Sequence, residues 1–167
     1  MATTRHALLL AALLALHSTC SLALEKPAGH PIVTITGQIA DMNSGANAQF
    51  DSAMLDKLPQ VKMTVPTPWY KQEQTFEGPL LRDVLKAAGS KGSKLYVVAL
   101  NDYAAEIPLA DVEKYDVILA RKINGKVLTV RDKGPLFVMY PFDKKPELRT
   151  KEIYSRCVWQ VNRIRVE

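Results

Sequence analysis

Apolar and polar side chains alternate between residues 32 and 39, with Val33, Ile35 and Ile39 on one face and Thr34, Thr36 and Gln38 on the other. That two-residue period predicts a half-buried strand. Residues 41–49 break the pattern with Asn, Ser and Gly and read as a surface loop. Asp51 or Ser52 then offers an oxygen to cap a short helix, whose Met54, Leu55 and Leu58 share a face and which Pro59 ends. Val61, Met63 and Val65 alternate with Lys62 and Thr64 in a second strand, which runs into the stiff segment Pro66-Thr67-Pro68-Trp69.

The clearest helix is expected to start at Pro79, because a first-turn proline gives up an N–H that has no partner anyway. Leu80, Leu81, Val84, Leu85 and Ala88 form its buried face, and Gly89 can end it in a left-handed conformation. Residues 95–100 and 103–107 read as two strands around a polar turn. A short helix after Pro108 leads to a strand over 117–123, and Asn124-Gly125 predicts a tight hairpin into 127–130. Residues 136–140 are apolar throughout, as in a central strand covered on both faces, and 157–166 closes as a last strand with Ile164 and Val166 inward and Arg163 and Arg165 outward. Short strands interrupted by isolated helices predict an α+β domain rather than a regular βαβ wind.

The front of the chain follows another logic. Arg5 and His6 precede an apolar run over 8–16, and Ser21-Leu22-Ala23 supplies small residues at a cleavage site after Ala23. The run is shorter than the roughly 20 residues of a membrane span. Residues 1–23 are therefore expected to be a signal peptide, residues 24–167 a single domain, and the product secreted to the periplasm without membrane insertion. Cys20 as a lipid anchor is the alternative, but His17-Ser18-Thr19 is a poor approach for lipidation.

Cleavage there changes the chemistry. The chain has 2 cysteines and 3 histidines, of which only Cys157 and His30 would remain. An intramolecular disulfide, a two-histidine site and an ordinary four-ligand zinc site are then excluded. His30 falls in an N-terminal lead-in, where an exposed residue is the ordinary reading. The composition, 47% apolar and 23% charged, is that of a globular protein. A net charge of +5, spread along the chain, suits an anionic ligand or surface better than nucleic acid. Gly125-Lys126 lacks the upstream glycine and following Ser/Thr of a phosphate loop.

Three segments are poorly explained by packing. Trp69 and Tyr70, on a proline-stiffened loop, can stack on a flat ligand or plug the edge of a core. Asn101-Asp102-Tyr103 is a polar turn between apolar strands, where Asn and Asp also serve purely local needs. Arg131-Asp132-Lys133-Gly134-Pro135, before the buried strand, can grip an anion or form a solvated turn. Cys157 beside Arg156 has a neighbour that could stabilise a thiolate, whereas Val158 and Trp159 favour an inert buried thiol.

These segments resemble, in order, a known family. Thr75-Phe76-Glu77-Gly78-Pro79-Leu80-Leu81-Arg82-Asp83-Val84-Leu85 is similar to the strand-to-helix signature of the sulfite-oxidase-type molybdopterin-binding domain. Asn101-Asp102-Tyr103 with Ile107-Pro108, Ile118-Leu119-Ala120 with Asn124-Gly125-Lys126, Lys133-Gly134-Pro135-Leu136, and Val158-Trp159 with Arg163-Ile164 continue the pattern. The likeness spans about residues 32–166 and is greatest to small exported members of the family.

The resemblance implies a sulfite-oxidase-type molybdopterin-binding fold of mixed β-sheets with short helices. In the full-length enzymes it implies a molybdenum held by a pterin dithiolene and one cysteine thiolate. It places that cysteine in the segment Thr64-Val65-Pro66-Thr67-Pro68-Trp69, where Val65 or a neighbour takes the ligand position and no side chain offers a soft sulfur. Phe137 and Val158 stand where the enzymes often carry basic residues. Cys157, near the far end of the chain in another strand, is not expected to replace the missing ligand.

The resulting expectation is an exported molybdopterin-oxidoreductase-like domain without redox catalysis, holding no cofactor, with molybdopterin the one the resemblance would allow. Its pocket would bind a small anionic ligand or a periplasmic partner protein, such as a sensor or an oxidoreductase subunit. Trp69, Asn101, Asp102, Tyr103, Arg131 and Arg156 are the candidate rim, the aromatics stacking and the arginines pairing with negative charge. The alternatives are an active molybdopterin-dependent oxidoreductase and a purely structural interaction module.

Overall fold

Alternation decides the larger of two main sheets in the computed structural model, which describes residues 24–167; the expected signal peptide at 1–23 lies outside the described residues. β1 (Val33–Gly37) buries Val33 and Ile35 and runs parallel to β11 (Val161–Val166), with Ile35 opposite Ile164. On β11, Ile164 and Val166 are buried and Arg163 and Arg165 exposed, as the pattern predicts. β2 (Ala48–Phe50) flanks β1, while β5 (Lys94–Ala99) and β6 (Ala104–Pro108) continue on the other side of β11. The order is β2-β1-β11-β5-β6, which makes the last strand of the chain the middle of the sheet.

A second sheet has the order β3-β4-β8-β9, built from β3 (Gln60–Val65), β4 (Gln74–Pro79), β8 (Lys122–Ile123) and β9 (Lys126–Val127). Between the sheets lies an antiparallel ribbon of β7 (Ile118–Ala120) and β10 (Phe137–Met139), all six residues of which are buried. Backbone polar groups inside a protein need partners, and the outer edges of the ribbon find them in the flanking chain. Val138 donates its N–H to the Val158 carbonyl at 2.9 Å, Val161 donates to Leu136 at 3.0 Å, and Phe137 bridges Trp159. On the other edge Leu80 bridges Ile118, and Leu81 N–H donates to Val117 at 2.8 Å. The ribbon thereby joins the two sheets by hydrogen bonds as well as by packing. This corrects the expected central strand at 136–140: it is covered on both faces, but only β7 is its sheet neighbour.

Local signals place most helices. Asp51 caps α1 (Ser52–Lys57) by accepting from Met54 N–H at 2.9 Å, and accepts from Gly29 N–H at 2.7 Å. Those two donors, Gly29 first, hold its carboxyl below the usual carboxylate range. α2 (Leu81–Ala87) ends at Gly89, whose φ of +61° is the left-handed value a Cβ resists. α3 (Leu109–Lys114) follows Pro108 as expected. Asn124 and Gly125 both have positive φ, 51° and 78°, in the β8–β9 hairpin.

Several expectations fail for identifiable reasons. Pro79 is the last residue of β4 and not the first of α2, because Gln60 to Val65 pairs along β4 up to Pro79. The run 117–123 divides into β7 and β8 at Arg121, which turns inward to Asp56 and to the Ser52 carbonyl at 3.1 Å. Residues 127–130 leave strand geometry after Val127 and enter a 3₁₀ turn, Val130–Asp132. The final strand starts at Val161 rather than 157, and a helix absent from the sequence reading, α4 (Lys151–Arg156), precedes it with Thr150 capping Ile153 N–H at 3.2 Å.

Gly78 sits where β4 crosses the ribbon, and a Cβ there would collide with the Leu119 carbonyl oxygen. Gly78→Ala is expected to destabilise the protein by about 2 kcal/mol, as overpacking against immovable backbone does; urea denaturation measures it.

Candidate functional site

The turn between β5 and β6 is a local construction. Asp102 adopts φ of 62°, its N–H donates to the Ala99 carbonyl at 3.0 Å, and the Asn101 side chain accepts from Tyr103 N–H at 3.2 Å. This aims Tyr103 across to α4, where its hydroxyl donates to the Ser155 carbonyl at 2.9 Å. Beneath that bridge lies a cavity of about 370 Å³, walled by Trp69, Asn101, Tyr103, Tyr154, Cys157 and Trp159, together with Ala99, Ser155 and Val158.

Trp69 is the hub of its lining. Its ring centroid lies 5.5 Å from Phe137, 5.8 Å from Tyr154 and 5.7 Å from Trp159, and Phe137 in turn lies 5.9 Å from Trp159 and 5.6 Å from Phe76. Tilted and edge-on contacts at such spacings let each ring edge meet a neighbour's face. Phe137, on the buried ribbon, is the fixed point, so Trp69 stands on the core and is not a loose loop aromatic. An aromatic wall of this kind favours apolar or planar groups over isolated ions.

A second recess of about 560 Å³ opens beside it, lined by Tyr70, Asn124, Lys126, Val127, Arg131 and Lys133, with Ile123, Leu128 and Asp132. Asp132 accepts from the Thr129 hydroxyl at 2.7 Å. Burial, then the Asp132 charge, pushes the Tyr70 phenol up, so it is a neutral donor at ordinary pH. Trp69 and Tyr70 are consecutive residues facing the two cavities, and Lys133, in a left-handed conformation at φ of 69°, lays its ammonium 4.6 Å from the Trp159 ring centroid.

The six candidate residues separate. Trp69, Asn101 and Tyr103 line the aromatic cavity, and Arg131 lines the cationic recess. Asp102 points outward, 3.2 Å from Arg163. Arg156 is engaged elsewhere: it donates to Asp111 Oδ2 at 2.7 Å and to Glu152 at 2.5 Å, and the buried Tyr140 hydroxyl donates to the same Asp111 oxygen at 3.0 Å. Its charge locks α4 onto α3 and is not aimed at either cavity. Sequence reasoning missed Tyr154 because it missed α4; the available signal was Thr150, a capping residue three positions before Ile153.

Cys157 needs a correction of place. It follows α4 instead of lying within the last strand, and shares the cavity wall with Trp69. Its thiol is buried, donates to the Ile153 carbonyl at 3.5 Å, and is pushed far up by burial. The neutral thiol is therefore its state at ordinary pH. Thr67, in the segment leading to Trp69, buries a hydroxyl oxygen with no hydrogen-bond partner. Among the described residues, no three His, Cys, Asp or Glu side chains are grouped to hold a metal ion.

The sequence profile of the family described as "Oxidoreductase molybdopterin binding domain" matches residues 28–142. No curated protein matches the chain. Among solved structures, the fold is similar to that of the sulfane dehydrogenase SoxCD from Paracoccus pantotrophus, with a TM-score of 0.60 and 19% identity over 80% of this chain. The match spans 37% of that chain.

Two measurements follow from the geometry. Arg156→Ala leaves a mostly buried Asp111 carboxylate without its cation and is expected to cost about 3 kcal/mol in chemical denaturation. Cys157 is expected to resist a thiol-titrating disulfide reagent at pH 8 in the folded protein and to react fully once guanidinium unfolds it.

Proposed function

The chain belongs to the oxidoreductase molybdopterin-binding domain family, and within it we propose that the chain acts as an exported binding domain without redox catalysis of its own. Its occupant is a small anionic ligand or a periplasmic partner, taken by the aromatic cavity and the neighbouring cationic recess. The observation that carries this reading is the donor set around Trp69. A molybdenum held through a protein thiolate needs a deprotonated soft sulfur at the cavity, as the family resemblance implies. Cys157 is the one cysteine among the described residues; it follows α4 and does not lie in the segment before Trp69, and its buried thiol is hydrogen-bonded to the Ile153 carbonyl. Thr67 supplies a hard, neutral alcohol. No side chain between Thr64 and Trp69 supplies that sulfur, and a molybdenum held by a thiolate there does not fit these residues.

Binding has better support. The aromatic wall offers a large apolar contact, and Arg131, Lys133 and Lys126 exceed Asp132 in the adjoining recess. An anion carrying a flat or apolar group is met by both. A second reading, an active molybdopterin-dependent oxidoreductase, draws on one observation: Cys157 lies on the same cavity wall as Trp69.

Metal and pterin analysis of protein purified from cofactor-making cells separates the two readings. We expect molybdenum far below one atom per chain. Stoichiometric molybdenum that disappears in Cys157→Ser would establish the oxidoreductase instead. Phenyl phosphate, a small aromatic anion, is expected to quench tryptophan fluorescence, and Trp69→Ala or Arg131→Ala to weaken it several-fold; folded variants that bind unchanged would reduce the cavity to a structural feature.

A further inference from the structure

Exposed apolar side chains occur at both cavities and in the chain next to them. Among the described residues the large hydrophobics most open to solvent are Met42, Leu100, Tyr103, Val127 and Val130. Tyr103 and Val127 line the two cavities, and Leu100 and Val130 are chain neighbours of lining residues. Tyr103 bridges the aromatic cavity and Val127 lines the cationic recess, while Leu100 lies in the chain between the wall residues Ala99 and Asn101 and Val130 opens the turn that carries Arg131 and Lys133.

Hydrogen bonds through Gln160 tie the segments carrying these positions together. Leu100 N–H donates to the Gln160 carbonyl at 2.9 Å, Gln160 N–H donates to the Lys133 carbonyl at 3.0 Å, and the Gln160 side chain donates to the Val130 carbonyl at 2.8 Å. Gln160 itself holds a left-handed φ of 55° at the centre of this junction. Lys133 over Trp159 is the point where the aromatic and cationic halves meet.

The charges of this face are uncommitted. Ten lysines and arginines are ion-paired, among them Arg82 with Asp116, Arg121 with Asp56 and Lys122 with Glu77, and of the eleven others among the described residues three share the recess. Lys126, Arg131 and Lys133 have no ion-pair partner among the described residues, although Asp132 lies between two of them. A small anion in the recess would neutralise them, but it would leave the exposed Val127 and Tyr103 on the two cavity walls in water. A chain segment crossing the face covers both sets at once, burying apolar surface in the manner of a protein interface.

We propose that this face docks an acidic segment of a partner protein, seating one aromatic or large aliphatic side chain in the cavity beside Trp69 and Trp159 and laying Asp or Glu residues along Lys126, Arg131 and Lys133. The inference rests on the binding reading above and names its occupant. The anchor supplies affinity, because buried aromatic contacts dominate interface energetics. The carboxylates supply direction and rate of encounter, which makes binding weaken with salt. Tyr103, tied to Ser155, forms the far wall against which the anchor packs.

Selection of a random peptide library on the immobilised protein tests this. The expected winners carry an aromatic or large aliphatic residue flanked by Asp or Glu. A synthesised winner is expected to bind the Arg131→Glu/Lys133→Glu variant at least tenfold more weakly than the parent, with both proteins giving the same near-ultraviolet circular dichroism. It is also expected to bind at least tenfold more tightly than phenyl phosphate. Basic or charge-blind winners, no enrichment, or unchanged binding to the charge-reversed variant would overturn the docking proposal. Phenyl phosphate binding as tightly as the best peptide would also overturn it, in favour of a small-molecule site, and would leave the broader binding reading standing. Stoichiometric molybdenum in the purified protein defeats that broader reading itself.

Discussion

A two-stranded ribbon buried on both faces must find partners for its outer N–H and C=O groups, and the arrangement of this domain answers that need. β7 and β10 offer six apolar residues to the interior, which rewards burial, and two ladder edges, which oppose it. The larger sheet closes one edge through residues 158–161, and the turn from β4 into α2 closes the other. Satisfying the ribbon therefore determines how the two sheets sit against each other. It also delivers the site: Phe137 projects from the ribbon into the rings of Trp69 and Trp159, and the segment completing its edge contains Trp159 itself.

Much of the larger sheet was legible because one face of each strand is dry and the other wet. Ile35, Ile164 and Val166 announced their orientation by alternation alone. Asp51, Gly89 and Asn124-Gly125 were equally readable, since each performs a local backbone task that depends on little beyond its neighbours. What escaped was decided at a distance. Pro79 has the character of a helix start but lies on a strand because β3 continues beside it. Residues 136–140 cannot reveal from composition whether one or two strands adjoin them, as every position is apolar either way.

The candidate site shows the same division. Trp69, Asn101 and Tyr103 were visible as unusual residues at loops, and the fold brings them to one cavity. Arg156 looked equally available, yet its guanidinium is spent between Glu152, four residues back on α4, and Asp111, a partner 45 residues away that no local pattern encodes. Cys157 seemed remote because chain distance was taken for spatial distance. It lines the same cavity as Trp69, with its buried thiol hydrogen-bonded to the Ile153 carbonyl.

The central position of β11 bears on how the chain reaches this state. Neighbours in the sheet come from opposite ends of the sequence, with Ile35 beside Ile164, so the middle of the larger sheet is empty until residues 161–166 are available. A chain made from its N-terminus onward has both half-sheets waiting for one late insertion. Such long-range closure slows folding and leaves strand edges open meanwhile. The segment that inserts begins just past Trp159 and Gln160, so the aromatic cavity and the bridge to Lys133 can be assembled only in the last act of folding.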